Sequence, residues 1–256
     1  MNFEKIFLLF LEETKLKAKP STAAHYLALY NNHITRRFGD RQAESISESE
    51  LIVHILEEKD NNLRLKGQPL SQKSICDIIK LLNQIFKYAY KNSFTEAKLH
   101  IPVPKCPQNM VEIFTPEEKA KIKEYIFGNT TYHGIAVLLS LYMGLRIGEA
   151  CALMWGDINF ETETLRVSRT IQRIKVINDG NMPKTKVIVD TPKSEKSVRD
   201  IPIPNFLLLL LAKYKGGGDC YVSKNSINFT EPRLMNKKYK TLLKRASVDY
   251  RNAHYR

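Results

Sequence analysis

The residues best suited to chemistry lie in one short stretch near the middle of the chain, Gly144-Leu145-Arg146-Ile147-Gly148-Glu149. Glycines on both sides of Arg146 allow a backbone or a ligand to approach closely. A guanidinium group presents a planar fork of N–H donors that suits the oxygens of a phosphate. Taken alone, the stretch favours a structural salt bridge between Arg146 and Glu149 at a break between two helices. A phosphate-binding Arg146 is the alternative.

The net charge of the chain favours a polyanionic partner. Its 256 residues include 40 Lys and Arg against 27 Asp and Glu, which gives a formal charge of +13. The charge is uneven, with most of the excess in the part that follows residue 110. Nucleic acid is the expected partner of such a chain, and an anionic membrane surface is the second choice.

One predicted helix concentrates positive charge on a single face. Ser71 is a suitable N-cap for a helix that runs to about Asn92. At about 100° per residue, the apolar side chains share one side of this helix: Ile75, Ile78, Ile79, Leu82, Ile85, Phe86 and Ala89. The opposite side, called the lysine face below, carries Lys73, Lys80, Gln84, Lys87 and Lys91. We expect this face to lie along DNA phosphates, with a solvated surface as the alternative.

The hydrophobic periodicity predicts a mainly α-helical chain with a small antiparallel β-sheet. Four helices are expected before residue 95, starting near Phe3, Ser21 or Thr22, Ser47 or Ser49, and Ser71. Three prolines without helical or strand period mark a linker over residues 96–112. The sequence Phe114-Thr115-Pro116-Glu117-Glu118 then fits a capping box with proline at the first helical position. These features predict two domains, 1–95 and 113–256.

The second domain is predicted to mix helices and strands. One helix is expected to start at Thr115 and a second to cover residues 132–142. After a break at Gly144, a short helix is expected to run through Met154. Two more are expected over 206–213 and from about Pro232 to Ala246. Four strands are expected at 158–160, 165–170, 187–190 and 199–203. The four cysteines are far apart and form no CxxC pair, so they are expected to be reduced thiols. No apolar run reaches the length of about 18 residues that a membrane span needs.

Together these features resemble the tyrosine recombinases, also called the phage integrase family. The stretch from Gly144 to Ile158 resembles the first arginine box of that family. The segment Thr191-Pro192-Lys193-Ser194, followed by Ser197-Val198-Arg199-Asp200-Ile201-Pro202, resembles its β-hairpin lysine motif. The resemblance implies an α-helical, SAM-like core-binding domain and an incomplete α+β catalytic domain.

The implied activity is site-specific DNA recombination, as in the integrases of mobile elements. In this family a tyrosine attacks a DNA phosphorus and forms a 3′-phosphotyrosyl link, without metal or other cofactor. Arg146 matches the first arginine and Glu149 the acidic residue that supports it. Lys193 matches the general acid, with Lys196 as a less favoured substitute. Double-stranded DNA is the implied partner, the family's active assembly is a tetramer on DNA, and a cytoplasmic location is expected.

The end of the sequence departs from the family pattern. A His-x-x-Arg box is expected near Arg251-Asn252-Ala253-His254-Tyr255-Arg256, but His254 and Arg256 are one residue too close. The nucleophilic tyrosine should follow about 30–40 residues later in the family, and Tyr250 and Tyr255 do not match it. The resemblance thus predicts a C-terminally truncated recombinase that binds DNA, lacks its nucleophile and has impaired tetramer assembly.

Two other functions fit parts of the sequence. A non-catalytic DNA-binding or regulatory module would compete for recombination sites without cutting them. A metal-dependent nuclease or transposase would need a carboxylate cluster, yet the spacing of Asp157, Asp179, Asp190 and Asp200 is not that of metal ligands. Independence of any activity from Mg²⁺ would exclude that second alternative.

A suicide oligonucleotide substrate tests the predicted lack of a nucleophile. The chain is expected to shift the labelled duplex in a native gel and to leave no protein–DNA adduct after denaturation. An intact duplex of the same sequence, without the nick, serves as the control. A covalent adduct that disappears when a tyrosine of this chain is changed to Phe would overturn the prediction.

Overall fold

The computed structural model shows a chain that divides into two compact units. It describes residues 1–60, 69–106, 112–176, 185–191 and 197–250. The N-terminal unit comprises Met1–Asn109 with Ile174–Thr185, and the C-terminal unit comprises Met110–Arg173 with Lys186–Arg256. Each unit has a hydrophobic core of its own. Within the described ranges, every helix is too short or too polar to span a bilayer.

The N-terminal unit is helical. Its elements are α1 (Phe3–Lys17), α2 (Pro20–Leu29), a π-helical segment (Tyr30–Ile34), α3 (Thr35–Phe38), a 3-10 turn (Ala43–Ser45), α4 (Glu48–Asp60) and α5 (Gln72–Lys91). The predicted cap of α5 is confirmed, because Ser71 Oγ accepts a hydrogen bond from Ser74 N at 3.2 Å. Ser47 Oγ accepts one from Glu50 N at the start of α4.

The start of α2 differs from the prediction. Neither Ser21 nor Thr22 is the cap, because the helix begins at Pro20, with Lys19 in extended conformation before it. Proline has the fixed φ of a first helical residue and needs no N–H partner there, so it outcompetes a serine further on. The π-helical segment, where Thr35 N donates to Tyr30 O, was also not predicted.

Aromatic side chains fill the core of the N-terminal unit. Phe7 and Tyr30 stack with ring centroids 3.7 Å apart, and Phe3 contacts Phe86 of α5 at 5.0 Å. All seven apolar residues predicted for the inner side of α5 are buried. The five residues of the lysine face are exposed, so this helix separates its apolar and basic sides as expected.

The two cysteines of this unit correct the sequence prediction. The sulfur of Cys76 in α5 is bonded to that of Cys106, and their Cα atoms lie 7.2 Å apart. The expectation of isolated thiols was therefore wrong for this pair, because spacing along a sequence does not reveal contacts between remote segments.

The helices of the C-terminal unit pack around one apolar helix, α7 (Tyr132–Met143). The other described helices are α6 (Pro116–Gly128), α8 (Ile147–Ala152), α9 (Asn205–Tyr214) and α10 (Pro232–Arg245). Residues 134–140 of α7 are all buried, and the helix packs against α6, α8, α9 and α10. The predicted capping box of α6 is confirmed: Glu118 N donates to Thr115 Oγ1, and Thr115 N donates to Glu118 Oε2.

The described residues also form two small sheets. Their strands are β1 (Ile158–Asn159), β2 (Thr164–Val167), β3 (Thr170–Lys175), β4 (Thr185–Asp190) and β5 (Arg199–Pro202). Strand β2 pairs antiparallel with β1 and β5, and β3 pairs with β4. The predicted strand over 165–170 is thus two strands that belong to different sheets. The chain as described is mainly α-helical with small sheets, as predicted.

The Thr115 cap offers a test of this packing. Thr115→Ala should lower the free energy of unfolding by about 1 kcal/mol, since the N–H of Glu118 loses its acceptor. Fluorescence of Trp155, the chain's one tryptophan, is a probe of the C-terminal unit, where it is buried. Thr241→Ala on the exposed side of α10 is the matched control, because it removes no cap. Equal urea midpoints for both variants would contradict the assigned role of Thr115.

Candidate functional site

Arg146 lies at a sharp corner between α7 and α8. Gly144 ends α7 in the left-handed conformation, with φ of 65°, and its N–H donates to Ser140 O at 3.1 Å. A side chain at this φ would be strained, so glycine suits the break that the sequence predicted. Leu145 is buried, and Arg146 then takes an extended conformation as the residue before α8. The corner therefore fixes where the backbone of Arg146 lies.

Gly148 lets strand β3 pass directly against the first turn of α8. A Cβ atom on Gly148 would lie 2.5 Å from Thr170 Oγ1 and 2.6 Å from the carbonyl oxygen of Ile171. Both distances are too short for any side chain. The second glycine of the stretch thus serves the close approach of a backbone.

Glu149 is the buried centre of the site. Its side chain is 3% exposed, yet its carboxylate accepts four hydrogen bonds. Arg146 provides two of them, from its backbone N to Oε2 at 2.9 Å and from Nη1 to Oε1 at 2.8 Å. Arg199 provides the other two, from Nη2 to Oε2 at 2.9 Å and from Nη1 to Oε1 at 3.3 Å. A buried carboxylate is stable only when its oxygens are satisfied in this way.

These contacts decide the charge of Glu149. Burial by itself raises the pKa of the Glu149 carboxyl, because it penalises the charged form. The hydrogen bonds from Arg199 and Arg146 outweigh that effect and hold the pKa below its usual range. Glu149 is therefore an anion at neutral pH, even though little water reaches it.

Arg146 keeps most of its guanidinium free. Its side chain is 63% exposed. Among the described residues, only Nη1 has a hydrogen-bond acceptor, and Nε and Nη2 have none. A guanidinium that is anchored at one nitrogen and open at the others can hold the oxygens of a bound anion.

Arg199 is a part of this site that the sequence reasoning missed. It was noted only within the hairpin motif and received no role. The alternation of side chains along a strand is the signal that could have found it. Arg199 lies on the same side of β5 as Ile201, and Ile201 pairs with Leu165 of the buried sheet face. An arginine at an inward strand position requires a buried acceptor, and Glu149 is that acceptor.

The remaining predicted residues fall in two groups. Lys193, Lys196, His254 and Arg256 lie outside the described residues, so their placement stays a prediction. The lysine face belongs to the N-terminal unit, where Lys73, Lys80 and Lys87 form no ion pair within the part of the chain that the structure describes. In the same part, no group of three His, Cys, Asp or Glu side chains is arranged to hold a metal ion.

Replacement of Glu149 by Gln tests the electrostatics of the site. At pH 7, Glu149→Gln should lower the free energy of unfolding by about 2 kcal/mol, because hydrogen bonds to a charged acceptor are lost. A depressed pKa contributes stability above the unfolded-state value near 4.3, and this contribution is lost as the pH falls through the folded-state pKa.

The difference between the wild type and Glu149→Gln should therefore shrink as the pH falls from about 5 to 3. Urea titrations at several pH values, followed by Trp155 fluorescence, provide the measurement. Glu161→Gln, on an exposed turn, is the control. A stability difference that is constant with pH would show that the charge of Glu149 does not matter.

Sequence comparison places two recombination proteins among the relatives of this chain, although no protein-family model matches it. The XerC-like tyrosine recombinase of Caldanaerobacter subterraneus subsp. tengcongensis is 30% identical over 270 residues, which cover 95% of this chain and 66% of that protein. The ICEBs1 integrase of Bacillus subtilis is 24% identical over 217 residues, which cover 84% of this chain and 55% of that protein. The chain thus spans between about half and two thirds of the length of these relatives.

Solved integrase structures share the fold. The integrase of the transposon Tn1549, in complex with a circular intermediate DNA, superposes with a TM-score of 0.72 at 19% identity and covers all of this chain and 84% of its own. A lambda integrase dimer bound to a core site gives a TM-score of 0.68 at 15% identity, with coverage of 100% and 83%. The relatives, the fold and the arginine corner agree, and the chain belongs to the tyrosine recombinase family.

Proposed function

We propose that this chain binds double-stranded DNA for site-specific recombination and holds the phosphate at which strands are exchanged. The observation that carries the proposal is the exposed guanidinium of Arg146, which stands on a buried carboxylate at a rigid helix corner. The names of the curated relatives, a tyrosine recombinase and an integrase, support it. The DNA complexes of the Tn1549 and lambda integrases support it as well.

The proposal divides the work between two domains. Residues 1–95 form a core-binding domain, residues 96–112 a linker and residues 113–256 the catalytic part. In the first domain, the lysine face extends for about 27 Å along α5, at the helical rise of about 1.5 Å per residue. Lysine is suited to this task because a flexible ammonium group follows phosphates without reading bases.

The role of Arg146 is to hold the reacting phosphate. Its free nitrogens bind the non-bridging oxygens and stabilise the negative charge that develops on them during transfer. In the reaction of the family, a tyrosine oxygen forms a bond to phosphorus while the bond to the 5′-oxygen breaks. The 5′-oxygen takes up a proton, for which Lys193 is the proposed donor. The energy of the phosphodiester is kept in the phosphotyrosyl bond, so no nucleotide is consumed.

The remaining parts of the proposal concern assembly and setting. Recombination joins two DNA sites, so copies of the protein must meet on DNA, and the lambda integrase neighbour was solved as a dimer on its site. The likeness to the ICEBs1 integrase and to the integrase of the transposon Tn1549 supports a role in a mobile element. Because DNA is the substrate, the proposal places the protein in the cytoplasm.

The salt dependence of DNA binding tests the lysine face. Binding of a duplex should weaken steeply as salt rises, because each neutralised phosphate releases counterions. The double variant Lys80→Gln/Lys87→Gln should bind several-fold more weakly and lower the slope of log K against log salt by about two, at about 0.9 per contact. Fluorescence anisotropy of a labelled duplex gives both quantities.

A matched pair of lysines provides the control. Lys15→Gln/Lys17→Gln removes the same charge from α1, where both side chains are paired with glutamates. This control should leave the slope nearly unchanged. Equal slopes for both double variants would show that α5 does not contact the phosphates, and binding that ignores salt would reject the DNA proposal altogether.

A further inference from the structure

We propose that Arg199 is a positioning residue that leaves Arg146 with a free positive charge for phosphate binding. The proposal rests on the proposed function, because it concerns the same phosphate site. It assigns a task to an arginine whose two terminal nitrogens are both bonded to Glu149. The four hydrogen bonds of Glu149, the exposure of the two arginines and the net charge of the cluster support this role.

The two arginines use their nitrogens differently. Both terminal nitrogens of Arg199 donate to Glu149, and Nη1 also donates to the carbonyl oxygen of Ser197 at 3.1 Å. Its side chain is only 29% exposed, less than half the value of Arg146. Arg146 donates to Glu149 from one terminal nitrogen, and the other nitrogens of its guanidinium face the solvent. Arg146 is therefore suited to bind a phosphate, and Arg199 is suited to hold the carboxylate.

The charges explain why two arginines are needed. One carboxylate between two guanidinium groups leaves a net charge of +1 in the cluster. Without Arg199, Glu149 and Arg146 would form an ion pair with no net charge. A DNA phosphate would then be attracted only weakly, because the fields of two opposite charges in contact largely cancel at a distance. Arg199 neutralises the negative charge of Glu149 on the buried side of the carboxylate. The positive charge of Arg146 therefore remains available at the surface.

The sheet keeps Arg199 in place. Strand β5 pairs with β2 in a fixed register, with Arg199 opposite Val167 and Ile201 opposite Leu165. Val167 and Leu165 are both buried, so this backbone belongs to the core. A guanidinium anchored on a core strand can fix Glu149, and Glu149 in turn fixes Arg146 through its side chain and its backbone N–H.

The acidity of Glu149 agrees with this assignment. Burial raises the pKa of this carboxyl, and the hydrogen bond from Arg199 is the first of the contacts that lower it again. Loss of Arg199 should therefore raise the pKa of Glu149 and make its protonation easier. Protonated Glu149 no longer cancels the charge of Arg146, so DNA binding by an Arg199 variant should recover in part as the pH falls.

Four variants of the full chain test the proposal by duplex binding at several salt concentrations. Arg146→Met removes the phosphate contact and should lower the salt slope by about one. Arg199→Met should lower it by a similar amount, and Arg199→Lys should lower it less, since it keeps a charge near Glu149. The double variant Arg199→Met/Glu149→Gln should regain most of the slope, because it has no carboxylate left to cancel Arg146.

The rescue separates an electrostatic role from a merely structural one. A structural role predicts that the double variant binds no better than Arg199→Met, and this result would overturn the proposal. Arg41→Met is the matched control: Arg41 also pairs with a glutamate, Glu50, but in the N-terminal unit, and its loss should not change the slope. Trp155 fluorescence shows whether each variant of Arg146, Arg199 or Glu149 is folded. If Arg199→Met is not folded, Arg199→Lys and the double variant serve as the test.

The outcomes also distinguish this inference from the proposed function. If Arg146→Met changes the slope and Arg199→Met does not, the role of Arg199 is rejected and the phosphate site stands. If Arg146→Met itself has no effect, the phosphate site is rejected. A rescue by Glu149→Gln in the Arg199→Met background supports both.

Discussion

The burial of one negative charge organises the C-terminal unit of this protein. Glu149 has almost no contact with water, so its carboxylate must find hydrogen-bond donors within the protein. It finds them on two separate elements, the helix corner before α8 and the strand β5. The requirement to satisfy one carboxylate thus ties a helix to a sheet and fixes the geometry of the exposed arginine between them.

Local features of the fold followed from the sequence. Ser71 and the Thr115 capping box mark helix starts by chemistry that acts within four residues, and both are present in the structure. The two sides of α5 and the break at Gly144 are equally local, since they depend on helical period and on glycine's access to positive φ. The role proposed for the corner comes from the family resemblance, because periodicity carries no information about chemistry.

Features that depend on remote contacts did not follow from the sequence. Arg199 lies 50 residues from Glu149, and only the pairing of β5 with β2 brings it near. The division of residues 165–170 into two strands depends on which sheet each half joins. The contact of Cys76 with Cys106 depends on how a distant segment packs against α5. Residues such as Lys193 lie outside the described ranges, so their positions remain a matter of resemblance.

Gly148 has no reactive group, yet the position of the Glu149 carboxylate depends on it. Helix α8 has only six residues and gains its position by contact with β3 through the missing side chain. Any larger residue would push α8 away from β3 and carry Glu149 with it, while the rest of the core could stay intact. One added methyl group at position 148 would thus displace the carboxylate without altering either of the arginines that bind it.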